Sequence, residues 1–128
     1  MTAEPIEADH DYVDAEEYVR TWLRGHERLT MLGGRVFFGV PTSVSYPFVT
    51  VSRIGGQPRG AVDSARLSAQ AWGSTKKSAA DVAKGVVAAV DGMGGQVDSF
   101  LWQPAPPDGQ PRYVIDFSLD IAATAADS

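Results

Sequence analysis

Hydrophobic positions recur with a period of two through much of this chain. The clearest case is 113–121, where Tyr113, Ile115, Phe117, Leu119 and Ile121 alternate with Val114, Asp116, Ser118 and Asp120. Successive side chains of a strand point to opposite faces, so this pattern predicts a strand with one buried and one wet face. The same period runs through 64–72, with Ala65, Leu67, Ala69 and Ala71 on one side and Arg66, Ser68, Gln70 and Trp72 on the other. A further strand is predicted over 97–102. Upstream, RVFFGVPTSVSYPFVTVSRIGG at 35–56 reads as two short strands, 36–38 and 48–54, joined by a loop bracketed by Pro41 and Pro47 and stopped by Gly55 and Gly56. Residues 57–62, with Pro58 and Gly60, predict a long loop with little that could pack.

Two stretches change period. Over 76–90, Ala79, Ala83, Val86 and Val90 fall on one helical stripe, broadened by Val82 and Val87, while Lys77, Asp81 and Lys84 face solvent. Gly92, Gly94 and Gly95 end that helix. Near the start, Asp14 followed by Glu17 fits a capping box, and Val19, Trp22 and Leu23 share a face before Gly25. Arg20 and Arg24 then sit toward the negative end of the helix dipole. PAPPDGQP at 104–111 predicts irregular chain. The order of helix, three strands, helix and two strands defines an α+β fold: an antiparallel or mixed β-sheet of about four to five strands with two helices packed on one face. Residues 1–12 read as an acidic flexible arm, 13–122 as a single domain, and 123–128 as a disordered tail.

With 128 residues, 44% hydrophobic and 21% charged, the composition is that of one ordinary globular domain. No apolar run approaches the ~20 residues of a membrane-spanning helix, and the acidic start is the opposite of a secretory signal. The protein is therefore expected to act where it is made, or in an assembly built there. Cysteine is absent, which removes disulfides, thiolate ligands and cysteine nucleophiles together. The net charge of −5 hides a partition: residues 1–19 sum to −7, 20–84 to +7 and 85–128 to −5. Opposite charge in separate blocks suits subunits that stack or dock.

Candidate chemistry is sparse. Asp9, His10 and Asp11 resemble a metal-binding triplet, but adjacent residues on extended chain point apart and nothing fixes them. His26 reads as a surface residue favoured by the helix dipole. Neither Gly55-Gly56 nor the glycines after 92 match a phosphate-binding loop, and no GxSxG elbow occurs. No catalytic, cofactor-binding or metal-binding residue is assigned, and an enzyme is not expected. Arg53, Arg59, Arg66, Lys76 and Lys77 could gather at one end of the sheet with Trp72 as a stacking platform for nucleic acid. The acidic total and the lack of an RNA-recognition aromatic motif weigh against that. Trp22, Trp72 and Trp102 read better as core or interface anchors.

The segment 35–56, followed by ARLSAQAWGSTKKSAADVAKGVVAAV, resembles the tail terminator (tail completion) proteins of long-tailed bacteriophages and prophages. The likeness rests on order and spacing: an R-V-aromatic strand, a P-F-V-T-V strand, an alternating strand ending in A-W-G, and an alanine-rich helix capped by Ser or Thr. It spans roughly 29–90, and the strand at 112–122 is compatible with it. The resemblance implies a structural virion protein, assembled in the bacterial host cytoplasm, that caps the tail tube, ends tail polymerisation and forms the tail side of the head–tail junction. Its implied partners are itself, as a homo-hexameric ring, the major tail tube protein and a head–tail connector or neck protein. Genomic DNA passes through the lumen without specific binding, and neither a cofactor nor a membrane is involved. On this reading Arg53, Arg59, Arg66, Lys76, Lys77 and Trp102 form a tail-tube or subunit interface, and Asp116 and Asp120 face the lumen or solvent. The loops at 55–63 and 104–111 would give the ring two unlike faces. The alternatives are a neck or head-closure protein and a monomeric α+β binding module.

Overall fold

The computed structural model describes residues 10–43, 45–104 and 111–125. The chain runs through β1 (His10–Asp11), α1 (Ala15–Gly25), a 3-10 segment (Glu27–Leu32), β2 (Val36–Phe37), β3 (Phe48–Arg59) and β4 (Val62–Trp72). It continues through α2 (Lys76–Gly92), β5 (Gln96–Gln103), β6 (Arg112–Ala122) and β7 (Thr124–Ala125). The main sheet has five strands in the order β2-β3-β4-β6-β5, and β1 pairs with β7 in a separate two-stranded ribbon. β2 is parallel to β3 and the other main-sheet pairings are antiparallel, so the sheet is mixed and the fold is α+β.

Alternation decides which face is buried. Ala65, Leu67, Ala69 and Ala71 of β4 and Ile115, Phe117, Leu119 and Ile121 of β6 form the sheet side of the core, with Val49 and Val51 of β3. Val19 and Leu23 of α1 and Ala79, Val82, Ala83, Val86 and Val90 of α2 close over them. Both helices start as the sequence suggests. The Asp14 carboxylate accepts from the Glu17 N–H and the Thr75 hydroxyl from the Ser78 N–H, each satisfying a donor that a helix end leaves open. No helix among the described residues is long and apolar enough to cross a membrane.

Several expectations are corrected. The first strand of 35–56 is shorter than 36–38, and its direction, which alternation does not fix, is parallel to the second: Val36 pairs with Val49 and Phe37 with Thr50. Gly55 and Gly56 do not stop pairing, and 57–62 is no long loop. β3 continues to Arg59 and turns tightly into β4, with Gly56 opposite Ala65, Pro58 opposite Asp63 and Arg59 opposite Val62. A bulge at Ile54 shifts the register there. Gly56 has φ 84°, and a Cβ on it would lie 2.0 Å from the Ser64 carbonyl oxygen, so it permits close strand approach rather than ending the strand. Pro58 is tolerated because β3 is an edge strand beyond the short β2.

Where the expected arm and tail are described, both are paired: His10 lies opposite Ala125 and Asp11 opposite Thr124. The Tyr12 hydroxyl donates to the Gly60 carbonyl at 2.5 Å, tying the same region to the β3–β4 turn. Asp9 of the Asp9-His10-Asp11 run and 105–110 of the proline-rich loop lie outside the described residues.

Candidate functional site

With both helices on one side, no helix among the described residues covers the other face of the sheet. Its side chains follow from strand parity: Ser64, Arg66, Ser68 and Gln70 on β4, and Arg112, Val114, Asp116, Ser118 and Asp120 on β6. Register sets Ser68 beside Asp116, Arg66 beside Ser118 and Ser64 beside Asp120. Arg66 therefore sits diagonally between the two carboxylates, within the reach of long side chains across a sheet. Asp120 and Arg66 are exposed and Asp116 is half-buried. A shallow groove of about 350 Å³ at this end is lined by Gly56, Gln57, Arg59, Ser64, Arg66 and Asp120 among others.

The opposite end of the same face is aromatic. Phe48 stacks on Trp72, its partner across the strand pair, at 5.3 Å and 8°. The Arg112 guanidinium lies 4.6 Å over Trp72, whose indole N–H donates to the Thr50 hydroxyl at 3.3 Å. Trp72 is thereby buried, as is Thr50. It is a packed anchor and offers no open ring to a base.

The residues assigned to an interface thus separate into three places. Arg53 binds Asp63 through two parallel hydrogen bonds of 2.7 Å, and its main-chain N–H donates to the Glu16 carboxylate at 2.8 Å. Asp63 has a side chain only 3% exposed against 29% for Arg53, so this pair joins β3 to β4, while Glu16 adds α1. Hydrogen bonding to Asp63 raises the Arg53 pKa above its already high value, with the nearby charges of Asp63 and Glu16 adding to it and desolvation opposing. Arg59 and Arg66 share the bare face with Asp116 and Asp120. Lys76, Lys77 and Trp102 gather at the β4–α2 corner, beyond the end of β4 that lies about 20 Å along the strand from Arg66. There Lys76 lies 5.2 Å over the Trp102 ring, Trp102 packs at 4.9 Å on Tyr113, and Lys77 pairs with Asp81 at 3.3 Å. The charge partition along the chain does not survive folding as separate blocks, because basic β4 lies hydrogen-bonded beside acidic β6.

His26 acts as a cap rather than as a charge at a helix end: its Nδ1 accepts from the Arg28 N–H at 3.1 Å and opens the 3-10 segment. Trp22 is 38% exposed, yet its indole donates to the Ala89 carbonyl at 2.9 Å, tying α1 to α2. Features that the sequence pattern does not single out are Glu16 and Asp63, whose partners are distant in sequence, and the exposed apolar residues Phe38, Val40, Phe100 and Leu101. The run SFLWQ at 99–103, free of charge, is the one signal that could have flagged the last two.

The chain is thus a two-layer α+β domain, and among the described residues no group of three or more His, Cys, Asp or Glu gathers where it could hold a metal ion. A family model described as Tail completion protein gp17 matches residues 17–105, and the chain belongs to that family. Its role is accordingly structural, in the phage tail of the virion, in association with other tail components. No curated protein matches it.

Proposed function

We propose that the chain is a ring-forming terminator that caps the tail tube, ends tail polymerisation and forms the tail side of the head–tail junction. The observation that carries this reading, in a tail completion chain, is the split of the sheet into a helix-covered face and a face with no described helix over it, where Arg66, Asp116 and Asp120 stand among Ser64, Ser118 and the buried Ser68. Copies with their bare faces turned inward enclose a passage. A lining of mixed sign has no cationic track, so genomic DNA slides past without the counterion release that binds it to basic surfaces. Six copies related by rotation close through heterologous contacts, the repeating unit being 13–122.

The two ends of the subunit differ, and this supports unlike partners. The β4–α2 corner presents Lys76, Lys77 and Trp102, while the turn end presents Arg59 and Asp120. One end docks the major tail tube protein and the other receives the head–tail connector or neck protein. Arg66 belongs to the passage and Arg53 to the internal framework. The reading requires no catalytic residue, cofactor or metal, and assembly takes place in the host cytoplasm.

The test is tail length. A phage lacking this gene should make tubes of unregulated length, and purified chain added to polymerising tube protein should halt growth. Tubes that lengthen unchecked in its presence would refute the proposal.

A further inference from the structure

We infer that the ring contact lies on the two lateral flanks of the sheet: the outer edge of β5, which no strand among the described residues pairs, seats in one copy against the flank at 38–40 of a second copy. This deepens the ring reading and rests on it. Large exposed apolar side chains mark both flanks. On β5 they are Phe100, 40% exposed, and Leu101, 58% exposed; on the opposite side they are Phe38, 41%, and Val40, 57%. β5 is the last strand of the sheet and β2, which leads into Phe38, is the first.

The two edges are treated differently. On the β2–β3 side the Arg24 guanidinium donates to the Gly34 and Val36 carbonyls at 3.1 and 2.9 Å, and Glu16 accepts the Arg53 N–H at 2.8 Å. The bulge at Ile54 and Pro58 further unfit that edge for pairing. β5 has a bulge of its own at Asp98, but over 99–103 it carries no charge and no proline and has an apolar side chain on each face. Native chains blunt such edges unless something covers them. Two β5 edges joined to each other would make a closed two-fold dimer and use up the open edge. β5 against the opposite flank leaves a free flank at each step, so the contact repeats until it closes. Because the flanks lie on opposite sides of one sheet, rotation of a second copy brings one to the other.

The experiment is sedimentation analysis of the unmodified chain, Leu101→Lys and Val40→Lys, alone and mixed, with tube protein present and absent. Both positions are more than half exposed, so circular dichroism and melting should match the parent. The unmodified chain should form rings and each variant alone should remain monomeric. The mixture should give a 1:1 species of about twice the 13.6 kDa chain mass and nothing larger, since only one intact junction can form. Rings from either variant would overturn the flank assignment and leave the ring reading standing. Dimers of Val40→Lys alone would show β5 pairing with itself. An unmodified chain that stays monomeric even with tube protein would overturn both readings and make the β5 occupant a strand of another protein.

Discussion

Asp63 is a carboxylate taken almost entirely out of water, and Arg53 is its counterion through two 2.7 Å hydrogen bonds. Removing one partner of such a pair leaves the other charge uncompensated. We expect Arg53→Met to lose on the order of 3 kcal/mol in urea denaturation, the low end for buried pairs because Arg53 is 29% exposed. Arg66→Met on the bare face should change stability by no more than about 0.5 kcal/mol. Equal midpoints for the two variants would mean that the pair contributes nothing. A raised arginine pKa adds stability that is present below the unfolded value and lost only as pH rises through the folded one. That window lies at strongly alkaline pH, so Arg53 should give no pH dependence near neutrality. The charge of these residues is evident in the sequence, but their pairing is not. Arg53 and Asp63 are ten residues apart, and only the tight turn after Arg59 folds one strand back on the other.

At the level of elements, α2 shows how much a helix depends on what it touches. Its stripe of alanine and valine and its Thr75 cap are legible in the sequence, and the helix spans Lys76–Gly92 against an expected 76–90. Gly85 carries a constraint that periodicity cannot express: a Cβ there would lie 2.7 Å from Leu29 Cδ2 and 2.9 Å from the Arg28 carbonyl oxygen. Helix propensity favours alanine over glycine by about 1 kcal/mol, but overpacking a close contact costs about 1–3 kcal/mol. Gly85→Ala should therefore lower the melting temperature. Gly92→Ala in the same helix meets Trp22 only at an ordinary 3.6 Å and should not. A Gly85→Ala protein as stable as the parent would mean that the 3-10 segment moves aside freely. β3 shows the converse: Gly55, Gly56 and Pro58 look like breakers in isolation, and they extend a strand because a bulge and an edge position accommodate them.

Over the whole molecule, folding rearranges charge. The chain is acidic, basic and acidic in turn, yet β4 and β6 lie side by side, so Arg66 is set between Asp116 and Asp120. If the bare face lines a passage, replacing both aspartates by lysine should leave the fold intact and create duplex DNA binding that weakens steeply with salt. The unmodified chain should bind little, and fluorescence anisotropy against salt concentration measures both. Tight binding by the unmodified chain, or none by the double variant, would count against that face as the lining. What the sequence alone determined was local: which segments alternate, which repeat every three to four residues, where the caps stand, and hence an α+β sheet with two helices and the likeness to tail completion proteins. These are properties of neighbouring residues, and backbone geometry reads them directly. Strand order, the parallel β2–β3 pair, the Arg53–Asp63 bond, the opposing apolar flanks and the bare polar face came only with tertiary structure. Each depends on which distant segments lie side by side, and no pattern within a single segment records its neighbours.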